Sequence, residues 1–194
     1  KEVYGIMYRK NRISAEDTLW EKKGGRNFRK DLATGKAGEE ILRARILGFK
    51  NIVSVDDISN SKRGIDDDID FEILYADGHT RTVEIKTDLM AHRTGNIAYE
   101  EYSHRNPGCF ARTKADYIMY FIYETGEVYV LNPVNFRMFI AEMKSNPEKA
   151  EMLQVKAKGM GEGAYGYLVP IKVLEKETNV VECKFSAYPD SQAA

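Results

Sequence analysis

Residues 68–88, DIDFEILYADGHTRTVEIKTD, contain two stretches of alternating apolar and polar side chains separated by an Ala-Asp-Gly-His turn. Successive side chains on a strand point to opposite faces, so such a pair folds back as an antiparallel hairpin with one packed face and one polar face. The strands read as residues 69–75 and 80–87. Val83 and Ile85 share the apolar face of the second strand, Glu84 and Lys86 share the other, and Asp68, Asp70 and Glu72 share a face of the first. Register decides whether the two polar faces meet. A tight turn at Asp77–Gly78 sets Asp70 opposite Ile85 and away from Glu84, whereas an odd loop or a bulge brings Asp70, Glu84 and Lys86 to one side of the sheet.

Two carboxylates brought together repel unless a cation lies between them. An oxygen-only ligand set suits Mg²⁺, with waters and a substrate phosphate completing its shell. Lys86, one pleat from Glu84, is placed to hold an attacking water and to offset charge on a transferring phosphate.

The segments around the hairpin predict a mixed sheet flanked by helices. An apolar stripe through Ile41, Leu42, Ala44 and Ile46 with Gly48 beyond it gives a helix over 34–47, preceded by a short helix start at Ser14. NIVSV (51–55) reads as a strand and DDISNSKRGIDDD as a polar connector. NIAYEEY reads as a further strand, followed by a pair over 117–123 and 128–131 joined at Thr-Gly-Glu. Pro133 opens a helix whose Phe136, Phe139, Ile140 and Met143 recur at helical spacing, as core residues do. KAKGMGEGAYG reads as a Gly-rich basic loop before a last strand, YLVPIKVL. Alternating helices and strands argue for one α/β domain rather than a bundle or a sandwich. The divisions expected are a basic N-terminal extension (1–33), a core (34–176) and a C-terminal tail (177–194).

The chain of 194 residues has 29 Lys+Arg against 30 Asp+Glu, so its net charge of −1 names no partner. The charges are segregated, however: the first thirty residues carry nine Lys or Arg against four Asp or Glu, while 56–77 carries Asp56, Asp57, Asp66, Asp67, Asp68, Asp70, Glu72 and Asp77. Cations beside a carboxylate pocket suit a metal-dependent enzyme acting on a polyanion, although solvated charge runs give the same pattern. Cys109 and Cys183 lack metal-ligand or disulfide-framework spacing and read as reduced thiols in a cytoplasmic protein. No apolar run is long enough to span a bilayer. His79, His92 and His104 share no ligand spacing, which disfavours a catalytic histidine.

Asp70 followed by Glu84-Ile85-Lys86 resembles the D…(D/E)-x-K signature of the PD-(D/E)XK superfamily of restriction-endonuclease-like nucleases. GKAGEEILRARILGF resembles the first core helix of resolvase-like and phage members, with Glu39 the best match for its metal-site glutamate and Glu40 the second. TGNIAYEEYSH and ARTKADYIMYF resemble the third and fourth core strands of phage- or plasmid-borne members, so the likeness runs from about residue 34 to 174. The resemblance implies a restriction-endonuclease-like α/β fold and a Mg²⁺-dependent deoxyribonuclease, with Mn²⁺ able to substitute, in a recombination or repair setting. It implies Asp70, Glu84, Lys86 and Glu39 as catalytic residues and Asp70, Glu84 and Ile85 as the metal site. Lys114, Arg112, Lys156 and Lys158 are the expected DNA contacts, and a homodimer follows if both strands are cut. Ile69 stands where the superfamily name has proline, which leaves Asp68 and Asp66 as rival ligands.

Each assignment has a plainer counterpart. Lys86 neutralises Glu84 or Glu72 on any solvated sheet, and Glu39 with Arg43 forms an ordinary helix-surface pair. The rival functions are an inactive nucleic-acid-binding scaffold of the same fold and an RNA-directed nuclease.

Overall fold

The computed structural model describes residues 28–104, 106–161 and 163–188. The helix start at Ser14 and most of the basic N-terminal extension lie outside the described residues. The chain divides into two compact units, Lys1–Lys36 and Ala37–Ala194. Of the first unit, only the opening turns of the helix α1 (Phe28–Leu47) are described. The second unit is mixed α/β.

Its larger sheet has six strands in the order β1 (Ile52–Asp57), β2 (Phe71–Tyr75), β3 (Thr80–Asp88), β6 (Tyr117–Ile122), β7 (Glu127–Leu131) and β10 (Val181–Ser186). Only the β3–β6 pair is parallel. A crossover separates those two strands, as parallel pairing requires. It contains α3 (Ala91–Thr94), β4 (Asn96–Ser103), β5 (Asn106–Pro107) and α4 (Cys109–Arg112). β10 falls in the segment read as a C-terminal tail and instead pairs antiparallel with β7.

Both faces of this sheet are covered. On one, Leu42 and Ile46 of α1 join Val55, Phe71, Ile73, Val83, Ile85, Met119, Phe121 and Val128. On the other, Ile118, Tyr120, Ile122 and Leu131 meet α5 (Pro133–Ser145) and the residues Ile97, Tyr99 and Val169. Two-sided burial explains why YIMYFI of β6 is almost continuously apolar. The α5 helix forms as its sequence directs. Asn132 Oδ1 accepts from Val134 N at 3.1 Å and Asn135 N at 3.0 Å, Pro133 occupies the first turn, and Phe136, Phe139, Ile140 and Met143 are buried.

A second, four-stranded sheet runs β5-β4-β9-β8, with β8 spanning Lys156–Gly161 and β9 spanning Ala164–Pro170. Three expectations change here. NIAYEEY belongs to this sheet and not to the one carrying the hairpin, and KAKGMGEGAYG contributes an edge strand instead of a loop. The last strand stops at Pro170, where α7 (Ile171–Glu177) begins. The connector after β1 also contains a helix, α2 (Lys62–Asp67), and α6 (Pro147–Met152) follows α5. Among the described residues no helix is long and apolar enough to cross a membrane.

Candidate active site

The site begins with the hairpin loop. Tyr75 N donates to His79 O at 2.9 Å, leaving Ala76, Asp77 and Gly78 as the turn, and Gly78 has φ +88°, a left-handed conformation that glycine adopts without strain. The loop is therefore odd. Phe71 pairs with Val83 and Glu72 with Thr82, one residue away from the register of a tight turn at Asp77–Gly78. Beyond the ladder, Asp70 N donates to Val83 O at 2.9 Å and the Asp70 carboxylate accepts from Ile85 N at 2.7 Å. These bonds bracket Glu84 and set its carboxyl group beside that of Asp70.

Burial and mutual repulsion shape their chemistry. Desolvation raises the Glu84 pKa to about 10, reinforced by the charges of Asp70 and Asp68 and opposed by Lys86. Burial also raises that of Asp70, against the stabilising Ile85 N–H. Without a cation, such a pair holds a proton at neutral pH. Lys86 is the next residue on the Glu84 face, half-buried, and lies beside Tyr120 in the parallel ladder.

Asp68 supplies a third carboxylate. It ends α2 in a left-handed conformation with φ 57°, and Thr113 Oγ1 donates to its carbonyl at 2.7 Å. One carboxylate oxygen pairs with the Arg112 guanidinium, while the other, Oδ2, is buried without a hydrogen-bond partner. Asp66 is exposed on α2. Arg112, expected as a DNA contact, is thus drawn to the acidic pair, and its pKa is raised by the bond to Asp68. Lys114 Nζ binds Asp67 Oδ1 at 2.7 Å.

Helix α1 approaches the same strand from the opposite face. A Cβ at Gly38 would fall 2.1 Å from Thr87 Oγ1, so the absent side chain permits the contact. Glu39, the next residue, is thereby held near the end of β3. Thr87 alternates with Glu84 and Lys86 along β3, so the Gly38 contact lies on the face of the sheet opposite the carboxylate pair. Lys156 and Lys158 lie on β8 at the edge of the other sheet, where they line a cleft with His92 and Lys172.

Sequence reasoning misses two contributors. Cys109 is buried under the site, its thiol pKa pushed up to about 12 by desolvation, with Lys86, Glu84, Glu100 and Asp68 as charged neighbours. Asp88 continues the Glu84–Lys86 face and accepts from the Tyr120 hydroxyl and, at the start of α3, from Ala91 N at 2.7 Å. The two-residue spacing from Lys86 could have indicated Asp88, whereas nothing local indicates Cys109.

A metal is tested by its donors. Asp70, Glu84 and the orphaned Asp68 Oδ2 make an all-oxygen environment suited to a hard divalent ion, and burial above all, with the charge of Asp68 adding to it, raises the pKa of both paired carboxyls. Among the described residues, no group of three or more His, Cys, Asp or Glu is already arranged around a metal position. The carboxylate pair with water and substrate oxygen is the fit available. No family model, curated protein or solved structure matches this chain.

Proposed function

We propose that this protein is a Mg²⁺-dependent deoxyribonuclease with a restriction-endonuclease-like fold. The observation that carries the reading is the pairing of Asp70 with Glu84 at the end of the hairpin, with Lys86 on the same face. Two half-buried carboxyls cost stability through desolvation, so their place side by side favours a binding role over a packing one. In this reading Asp70 and Glu84 hold the ion, and the Ile85 N–H steadies the Asp70 carboxylate at 2.7 Å. The ion supplies charge neutralisation of the phosphate and a more acidic bound water.

The chain's own groups do the remaining work. Lys86 orients the attacking water toward phosphorus and offsets the charge gathering on the phosphate oxygens. Water oxygen bonds to phosphorus as the P–O3′ bond breaks, leaving a 5′-phosphate and a 3′-hydroxyl. Arg112, held by Asp68 with half of its side chain exposed, contacts a phosphate oxygen through its remaining N–H groups.

The test offers supercoiled plasmid, linear duplex, single-stranded DNA, a four-way junction and RNA to the protein in Mg²⁺ or Mn²⁺, with EDTA controls. Metal-dependent cleavage of DNA is expected, and the preferred structure identifies the substrate. Cleavage of RNA alone moves the reading to a ribonuclease, and cleavage of nothing moves it to an inactive scaffold.

A further inference from the structure

A second charged region lies beyond the carboxylate pair. A cleft of about 790 Å³ opens where α3, the end of β6, β8, β9 and the start of α7 come together. Three exposed lysines line it, Lys156 and Lys158 from β8 and Lys172 from α7, together with His92. None of these lysines pairs with a carboxylate among the described residues, whereas Lys114, Lys144, Lys149 and Lys184 each do. Of the cleft's two glutamates, Glu175 is neutralised by Lys184 Nζ at 2.9 Å, while Glu127 accepts from the uncharged Thr125 Oγ1 at 3.1 Å, so three lysine charges face one remaining carboxylate. Positive charge is concentrated there on a chain whose net charge is −1.

Lysines on an edge strand also guard against unwanted pairing, which would account for Lys156 and Lys158. That role does not account for Lys172, which comes from a helix, or for the convergence of all three on a cavity. Position adds a further argument. The parallel ladder sets Lys86 beside Tyr120 and Asp88 beside Ile122, and Ile122 lines the cleft. This lining residue is therefore two strand residues beyond the level of Lys86, about 7 Å along the strand. A duplex presents a phosphate about every 3.4 Å along each strand, so a polyanion held at Lys86 extends to the cleft within a few nucleotides.

We propose that this cleft binds phosphate groups of the nucleic acid flanking the cleaved bond. The identity of the ligand rests on the nuclease reading, since the same cations also suit the phosphates of a free nucleotide. The test is fluorescence anisotropy in EDTA, with a labelled DNA duplex and separately a labelled nucleoside triphosphate. Wild type is compared with the Lys156→Ala/Lys158→Ala/Lys172→Ala variant, whose thermal midpoint checks that it folds. Duplex affinity is expected to fall at least about tenfold, and the slope of log affinity against log salt to become shallower by about two to three, near 0.9 per phosphate contact. Equal affinity and slope in the two proteins would overturn the proposal, as would a wild type that binds neither ligand. Nucleotide binding alone, lost in the variant, would keep a phosphate site and overturn its assignment to flanking DNA. Cleavage in Mg²⁺, scored separately with Asp70→Asn, distinguishes a phosphate-binding chain that cuts nothing from a nuclease that does not use this cleft.

Discussion

Asp70 brackets Glu84: its backbone N–H bonds to Val83 and its carboxylate to the Ile85 N–H, the residues on either side. The Asp70 carboxylate is therefore fixed beside Glu84 by backbone, and it cannot relax away without breaking a bond at the end of the hairpin. A cation is the natural relief of that arrangement, and the consequences can be measured.

Mn²⁺ binding, followed by calorimetry or by the paramagnetic signal of the free ion, should weaken about tenfold or more in Asp70→Asn and in Glu84→Gln, on the scale of a lost charged ligand contact. Lys86→Ala should bind the ion at least as tightly as wild type, since it removes a competing positive charge. Unchanged affinity in both carboxylate variants would place the ion elsewhere.

Stability should depend on pH in a stated direction. Glu84 has a folded-state pKa raised from 4.5 to about 10 by burial, so the folded chain binds a proton that the unfolded chain releases. The stability it contributes is fully present below about pH 4.5 and is lost as pH rises toward 10. Thermal unfolding in EDTA should show the midpoint falling across that range because of this group, with a shallower fall in Glu84→Gln and a higher midpoint than wild type at pH 8. Identical pH profiles would show that Glu84 is not the group responsible.

Arg112 supplies positive charge beside Asp68 and Glu84, so its removal should affect metal and DNA in opposite senses. Arg112→Ala is expected to weaken DNA binding about tenfold, the value of one charge-assisted hydrogen bond, while lowering the Mn²⁺ concentration needed for half-saturation. Parallel losses of both would mean that the pair with Asp68 serves the local fold only.

Replacing Gly with Ala inside a helix normally stabilises it, but at Gly38 the added carbon meets Thr87 Oγ1 at 2.1 Å. Gly38→Ala should cost about 1–3 kcal/mol in denaturant unfolding, the range for overpacking, with part of the loss recovered by adding Thr87→Ala. A stabilised Gly38→Ala would show that α1 does not press on β3 there.

The hairpin, α5 and the parallel-paired β6 are legible in the sequence because local periodicity and capping agree with the tertiary packing there, as at Asn132–Pro133 and Phe136. Register is the limit for the site. It turns on whether the loop holds two residues or three, which depends on the backbone conformation of Gly78 and not on any pattern of apolar residues. The second sheet is hard to read for a related reason. Gly159 and Gly166 face each other's strand neighbours in a ladder made of backbone bonds, so a glycine-rich run with weak strand propensity still pairs. The change from strand to helix at Pro170 is hidden by an apolar run that continues through Ile171, Val173 and Leu174. Asp68 is visible as a rival ligand, but its pairing with Arg112 joins residues far apart in sequence and only folding reveals it.

The most direct measurement is the time course of supercoiled-plasmid cleavage in Mg²⁺ by wild type, Asp70→Asn, Glu84→Gln and Lys86→Ala, each first shown to fold. The account predicts cleavage by wild type, its abolition by EDTA, and a fall of about a hundredfold or more in every variant. Wild-type cleavage that persists in all three variants would contradict the site, and a folded wild type that cuts no nucleic acid in Mg²⁺ or Mn²⁺ would contradict the activity itself.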